Sequence, residues 1–485
     1  MIRPLVLTAG LLAFASTVTA TAADRLATLD DTRLMTEFQA ALEGETLDEP
    51  IRCLFPHVVE LEARGLPVAA FARTALADSL YVYDTAEGHF RLEYRRTGSN
   101  AVPLDDDDSS GVPDYVEWVA EAFEESYQRE VVELGFPFAE GDRYLVRLIG
   151  FAPGTYGVTF PNETSFGRST ISINADFEGF FASPSFADLT NDDPDGVIRG
   201  AIRVTAAHEF KHALQLYDRW RLDSETASWF EVDAVWMEEV VYDGVNDYYN
   251  YLWDPTSPFR APSVSLIGNA FYDDGTWQVF LEQRHGIDFL KRFHDRRADF
   301  NPEIFHLSYK GVADELEIDW AELWREYALA NYLTGARATP EHGFDEAARY
   351  PTSTADTLAT LETPTAITGN LNQWANRFYE YDNADRQTAG QLEITVTTQD
   401  VGGWAMSAVL QNADRTVVVP LRQSAPVDTF VVTGHDVADY DRIALVVGNS
   451  TTTTASLRES FAVSFALDPE VDVSVGSFGR LKARY

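Results

Sequence analysis

Cysteine is nearly missing: Cys53 is the single one among 485 residues. One thiol cannot close an internal disulfide, so stability has to come from core size, a bound metal or both. Cys53 itself reads as a small buried apolar residue. Lysine is almost as scarce, at Lys211, Lys291, Lys310 and Lys482, and arginine supplies the other cations. Acids outnumber bases so far that the net charge is −40. That excess argues against nucleic acid and anionic membrane surfaces as partners. The acids are spread along the chain, which fits a heavily hydrated surface and, with so little lysine, a salt-rich habitat. Plain solubility at high concentration explains them equally well. Long apolar runs are also missing: none reaches the roughly 20 residues of a membrane span.

The one apolar stretch near the start, Leu5 to Val18, follows Arg3 and precedes Ala20-Thr-Ala22. A positive start, a short apolar run and an A-x-A site make an export signal. Residues 1–23 are therefore expected to be a signal peptide. The mature protein should begin near Ala23 or Asp24 and be secreted or periplasmic. The remainder is too long for one core of ordinary size, so two or three domains are expected. The 30 phenylalanines and 21 tyrosines supply ample core material.

Periodicity divides this remainder. Residues 24–80 read as helical, with Leu26, Leu29, Leu34, Phe38 and Leu42 recurring at helical steps, as a prodomain or an ordered first lobe. From 81 to 355 a small sheet and long helices alternate. Tyr81 to Tyr83 and Phe90 to Tyr94 suggest a hairpin, and Tyr144–Ile149 and Ser169–Asn174 read as strands. Helices are expected over about Pro113–Leu134, Asp195–Tyr217, Ser228–Tyr242, Gly275–Arg284, Ile287–Arg296 and Trp320–Leu333. From 356 to 468 short strands rich in Thr, Val and Ser recur at sandwich-like spacing. Residues 469–485 read as a tail. The fold class is thus α+β, with a C-terminal all-β sandwich.

The chemistry is concentrated in His208-Glu209-Phe-Lys-His212, an H-E-x-x-H sequence. Residues i and i+4 share a helix face, so both imidazoles can meet one zinc ion. Glu209 is placed to serve as general base toward water activated by that ion. The alternative is a surface helix with two solvated histidines. Ile198, Ile202, Ala206 and Ala213 argue against it, because they clothe the helix in apolar and small residues. A catalytic zinc needs a third protein ligand, and Glu231 follows His212 after 18 intervening residues. A second helix returning beside the first would bring it to the metal.

H-E-x-x-H followed by Trp229-x-Glu231-x-x-Ala234-x-Trp236 resembles the gluzincin metallopeptidases, the group of thermolysin-like enzymes and zinc aminopeptidases. Val232 stands where many members carry Gly or Ala. From about His89 to Gly286 the order of elements is similar to that of large secreted bacterial gluzincins. The resemblance implies a gluzincin-like catalytic domain over residues 81–355 that hydrolyses peptide or protein substrates. It also implies that Ser169–Asn174 is the edge strand beside the cleft, where extended peptide pairs with the backbone. Gluzincins often stabilise the transition state with a Tyr or His, for which Tyr272 is the first candidate and His285 the second. Asp233 and Asp218 are candidates to orient the histidines.

Asp106 to Glu117 fits a twelve-position calcium loop. Asp106, Asp108, Ser110, Val112, Asp114 and Glu117 supply oxygens, and Gly111 permits the turn. Its alternative is a solvated acidic turn. Asp195, in a second acid cluster, reads as a cap for the H-E-x-x-H helix. Two readings compete with a peptidase: an inert metallopeptidase fold whose sandwich binds a partner, and a zinc-dependent esterase. The oligomeric state is left open.

Overall fold

The computed structural model describes residues 22–47, 49–66, 68, 80–138, 143–161, 169–181, 186, 188–223, 227–361, 365–399, 401–452 and 458–468. The expected signal peptide, apart from its last residues, and the expected tail lie outside the described residues.

The described residues begin with three helices: α1 (Ala22–Thr28), α2 (Asp31–Leu42) and α3 (Phe55–Ala63). Asp30 caps α2 by accepting from the Arg33 amide at 2.9 Å. Leu34, Phe38, Val58 and Leu61 are fully buried in the same core as the helices that follow. This region is therefore packed into the main body. A hairpin of β1 (Leu80–Asp84) and β2 (Phe90–Arg95) comes next, then α4 (Asp114–Tyr127), which runs on into one π-helical turn over Gln128–Glu133. Strands β3 (Tyr144–Ile149), β4 (Gly157–Pro161) and β5 (Ser169–Asn174) complete a sheet of order β1-β2-β3-β5-β4.

That order corrects one expectation. Ser169–Asn174 is not the edge strand, because it is flanked by parallel β3 and antiparallel β4. The edge is β4, which periodicity did not reveal: its first four residues are all buried, so no apolar–polar alternation marks it.

Beyond a short α5 (Phe177–Phe181), the long α6 (Val197–Tyr217) packs against α4 and the sheet, with α7 (Ala227–Tyr242) beside it. Almost every residue of α6 from Gly200 to Leu216 is buried. Asp195 does not cap it. Gly196 is the capping residue, and Asp193 and Asp195 pair with Arg203 at 2.7 and 2.8 Å instead. The remaining helices are α8 (Tyr249–Leu252), α9 (Thr276–His285), α10 (Ile287–Arg297), α11 (Leu307–Glu315) and α12 (Trp320–Tyr332). Among the described residues no helix is long and apolar enough to cross a membrane.

The C-terminal part holds β6 (Asp356–Thr357), β7 (Thr365–Asn372), β8 (Ala375–Asp382), β9 (Gln391–Thr398), β10 (Trp404–Gln411), β11 (Thr416–Pro420), β12 (Val427–Asp436), β13 (Arg442–Asn449) and β14 (Arg458–Asp468). They form two sheets, β11-β10-β13-β8-β6 and β12-β9-β14-β7. The sheets close over a core that includes Leu392, Ile394 and Val396 of β9 with Leu410, Leu445 and Phe461. The first sheet is covered on its other side too. Ala328, Leu329, Tyr332 and Leu333, in and just after α12, pack on Phe378, Val409, Ala444 and Val446. The approach is close: a Cβ at Gly448 would lie 2.7 Å from the Trp324 ring. The chain is thus α+β, and α12 ties its two parts together.

Candidate metal centre

Helices α6 and α7 lie side by side, and each turns polar groups into an otherwise apolar contact. His208 and His212 sit one turn apart on α6. Their Nε2 atoms are 3.1 Å from each other. Glu231 of α7 meets both, with Oε2 at 3.1 Å from His208 Nε2 and Oε1 at 3.2 Å from His212 Nε2. His212 and Glu231 are 0% exposed and Glu209 1%. The residues that spacing alone paired are therefore brought together in the fold.

The outer faces of the imidazoles fix which atoms point inward. His208 Nδ1 donates to Glu238 Oε1 at 2.6 Å, and His212 Nδ1 donates to Gln215 Oε1 at 2.8 Å. Both Nε2 atoms are then left with lone pairs aimed at a carboxylate. Glu231 Oε1 has no hydrogen-bond donor. Acceptors facing acceptors in a buried site need a proton or a metal ion between them, and this group could hold a metal ion. Nitrogen and oxygen donors of this kind are those zinc takes. Burial alone would lower the His208 pKa, but the hydrogen bonds of Glu231 and Glu238 outweigh it and raise it well above the usual imidazole value. Burial would raise Glu231, yet His212 and His208 hold it down at about 2.

Asp233 acts one bond further out than expected. Its Oδ2 accepts from Gln215 Nε2 at 2.7 Å, so it reaches His212 only through that amide. Asp218 serves neither histidine of the cluster; it accepts from His294 Nε2 at 2.7 Å. The partner of His208 is Glu238, two turns beyond Glu231 on α7. Its signal was a carboxylate at i+7, on a face that between the two glutamates carries Ala234 and Val235.

Glu209 faces the cluster from α6. Its Oε2 lies 2.7 Å from the Thr159 hydroxyl on β4. Burial raises its pKa, against the pull of His212, His208 and Thr159. The edge strand passes so close that a Cβ at Gly157 would stand 2.9 Å from Glu209 Cγ and Oε1. Tyr272 stands beside the cluster, its ring 6.2 Å from that of His208 and its hydroxyl donating to the Cys53 carbonyl at 3.3 Å. His285 ends α9 instead, with its ring 5.8 Å from that of Phe289.

Cys53 is buried, as its residue type predicts, and its Sγ is 3.7 Å from His212 Nε2. Sγ, the two imidazole nitrogens and a Glu231 oxygen all lie within 4.8 Å of one another. A cavity of about 840 Å³ adjoins this group, lined in part by Arg52, Cys53, Tyr251 and Tyr272. A groove of similar size, about 890 Å³, is lined by Glu87, Glu121 and Glu124 and by none of the residues of this cluster.

The acidic loop is gathered only in part. Asp106, Asp108 and Asp114 place carboxylate oxygens within 4.8 Å of one another. Gly111 adopts φ +87°, and its amide donates to Asp106 Oδ2 at 3.0 Å. The Ser110 hydroxyl donates to the Val112 carbonyl at 3.2 Å. Glu117 is not in this group. It lies one turn into α4 and lines the acidic groove beside Tyr83.

No protein-family model matches the chain, and no curated protein does. Among solved structures, the pre-peptidase C-terminal domain of a Bacillus anthracis collagenase is 15% identical, with 23% of this chain and 94% of that one covered at a TM-score of 0.17. PliG of Salmonella Typhimurium, a periplasmic inhibitor of g-type lysozyme, is 13% identical, with 24% and 100% covered at 0.17. Aeromonas hydrophila PliG is 10% identical, with 24% and 96% covered at 0.16. Similarities this slight carry no functional argument.

Proposed function

We propose that this chain is an exported zinc-dependent peptidase with a gluzincin-like catalytic domain. The observation that carries the reading is the inward convergence of His208 Nε2, His212 Nε2 and the Glu231 carboxylate beside a buried Glu209. His208, His212 and Glu231 would hold the ion, and Glu238 and Gln215 keep the imidazoles in the tautomer that binds it. Bound zinc supplies a Lewis acid that polarises a carbonyl oxygen and makes water nucleophilic near neutral pH. Glu209 takes the proton of the attacking water and passes it to the leaving amine. A raised pKa suits a carboxylate to both transfers. The Tyr272 hydroxyl, which donates to the Cys53 carbonyl at 3.3 Å, would turn to the developing oxyanion. Strand β4 is the sheet edge beside the site, and an extended peptide would pair there in place of residues 52–54.

One observation favours a second reading. Cys53 offers a fourth protein donor, and a metal held by four side chains is the mark of a structural site. On that reading the fold is an inert scaffold and the sandwich does the binding.

Zinc analysis and casein digestion separate the two, applied to the unaltered chain and to Glu209→Gln, each with and without Cys53→Ala. A peptidase shows casein cleavage that Glu209→Gln lowers by at least ~10²-fold while zinc stays bound. Cleavage indifferent to Glu209, or absent from all four proteins, overturns the reading. An ester substrate run alongside tests whether the same carboxylate serves a different carbonyl.

A further inference from the structure

The edge of the sheet beside the metal group is already occupied, and by this chain. Residues 52–54 run alongside β4 and pair with it through a single β-bridge. Tyr156 N donates to the Arg52 carbonyl at 2.7 Å, and Leu54 N donates to the Gly157 carbonyl at 3.1 Å. Cys53 and Gly157 form a parallel bridge. Gly157 is the residue over which Glu209 lies. A backbone paired at this point of the edge strand runs past the catalytic carboxylate, where an extended substrate would run.

The side chains repeat the imitation. The Cys53 Sγ reaches the centre of the cluster, within 4.8 Å of the His208, His212 and Glu231 donors. Its own carbonyl accepts from Tyr272, the hydroxyl assigned above to a substrate oxyanion. The Arg52 guanidinium pairs with buried Asp247, bonds to the Tyr251 hydroxyl at 3.0 Å and lies over the Tyr156 and Tyr251 rings at 4.8 and 4.6 Å. Phe55, the first residue of α3, stacks on His212 with ring centroids 4.2 Å apart. The unpartnered, fully buried Glu231 Oε1 points to an ion in this group independently of the thiol. Thiolate and imidazole are both zinc donors, and four donors complete its tetrahedron.

We propose that residues 52–54 are a built-in inhibitory strap, in which Cys53 is the fourth protein ligand of the metal and the backbone fills the substrate's place on β4. The intact chain is then latent. Its edge strand, its Tyr272 donor and its last coordination position are all taken, and they become available together when the strap leaves. This rests on the peptidase reading for its consequence, but coordination and cleft occupancy are measurable without any hydrolysis.

The test uses the zinc-loaded full chain. X-ray absorption at the zinc edge should show one sulfur neighbour at about 2.3 Å, absent from Cys53→Ala with zinc retained. Calorimetric titration with a hydroxamate-capped dipeptide, a metal-seeking probe that occupies the same cleft, should show binding to Cys53→Ala. The unaltered chain should bind at least ~10-fold more weakly, in proportion to the fraction of molecules with the strap out. A zinc site without sulfur in the unaltered chain overturns the proposal, as does equal hydroxamate affinity in the two proteins. The sulfur neighbour is read on the unaltered chain, so a variant that fails to fold does not shelter the idea. If both readings come out as expected and Cys53→Ala still leaves casein uncut, the strap stands and the peptidase assignment falls.

Discussion

His208 Nδ1 donates to Glu238 Oε1 at 2.6 Å, across the contact between α6 and α7. This bond selects the tautomer that aims Nε2 at Glu231. Glu238→Ala should therefore weaken zinc binding by about 10–100-fold, the usual cost of losing an orienting carboxylate. Competition with a chelator of known affinity measures it. Unchanged affinity would mean that the ion does not sit on His208 Nε2.

Gly157→Ala forces a methyl group against Glu209, whose Cγ and Oε1 would be 2.9 Å away. The carboxylate has to move, and a shift of about 1 Å in a catalytic group costs about 10²-fold in rate. In the Cys53→Ala background, casein cleavage should fall by that order while zinc content stays the same. Full activity would show that Glu209 does not act from this position.

Glu239 carries the pH prediction. Burial first, then the charges of Glu346 and Asp243, push its pKa up to about 10. A carboxyl raised in the folded state is protonated there over a range where the unfolded chain has already lost its proton. Its contribution is fully present below the ordinary carboxylate range and is lost as pH rises toward 10. Glu239→Gln removes that penalty. Its melting temperature should exceed that of the unaltered chain at pH 8, and the difference should vanish at pH 4. A constant difference across that range would rule out titration of Glu239 as the cause.

The acidic loop predicts a calcium response with a defined ligand set. Asp106, Asp108 and Asp114 converge, and Glu117 does not. Calcium that binds only the folded chain stabilises it by about 2.7 kcal/mol at a hundredfold excess over Kd. Melting with and without calcium, zinc held constant, should show a rise that Asp114→Ala abolishes and Glu117→Gln keeps. Loss of the response in Glu117→Gln would mean that α4 reorganises to bring a twelfth-position ligand to the ion.

Local pattern makes much of this legible. The span of α6 is readable because its apolar residues recur at helical steps, and His208 and His212 can be paired because i and i+4 share a face whatever surrounds the helix. Strands β9, β12 and β14 alternate and are readable too. Strand β10 is not: the opposing sheet covers one side and α12 the other, and all eight of its residues are buried. A strand covered on both faces has no period to detect.

Helix geometry is local, so the order of residues is enough to put two histidines and a glutamate on two helices at metal-ligand spacing. What surrounds them is a matter of tertiary contact. Glu238 and Gln215 orient the imidazoles, Gly157 makes room for Glu209, and Cys53 arrives at His212 from 159 positions away in the chain. These relations depend on which backbone passes which, and no interval along the sequence encodes that. The single cysteine reads as filler for the same reason: burial is legible from residue type, but the identity of the neighbours is not.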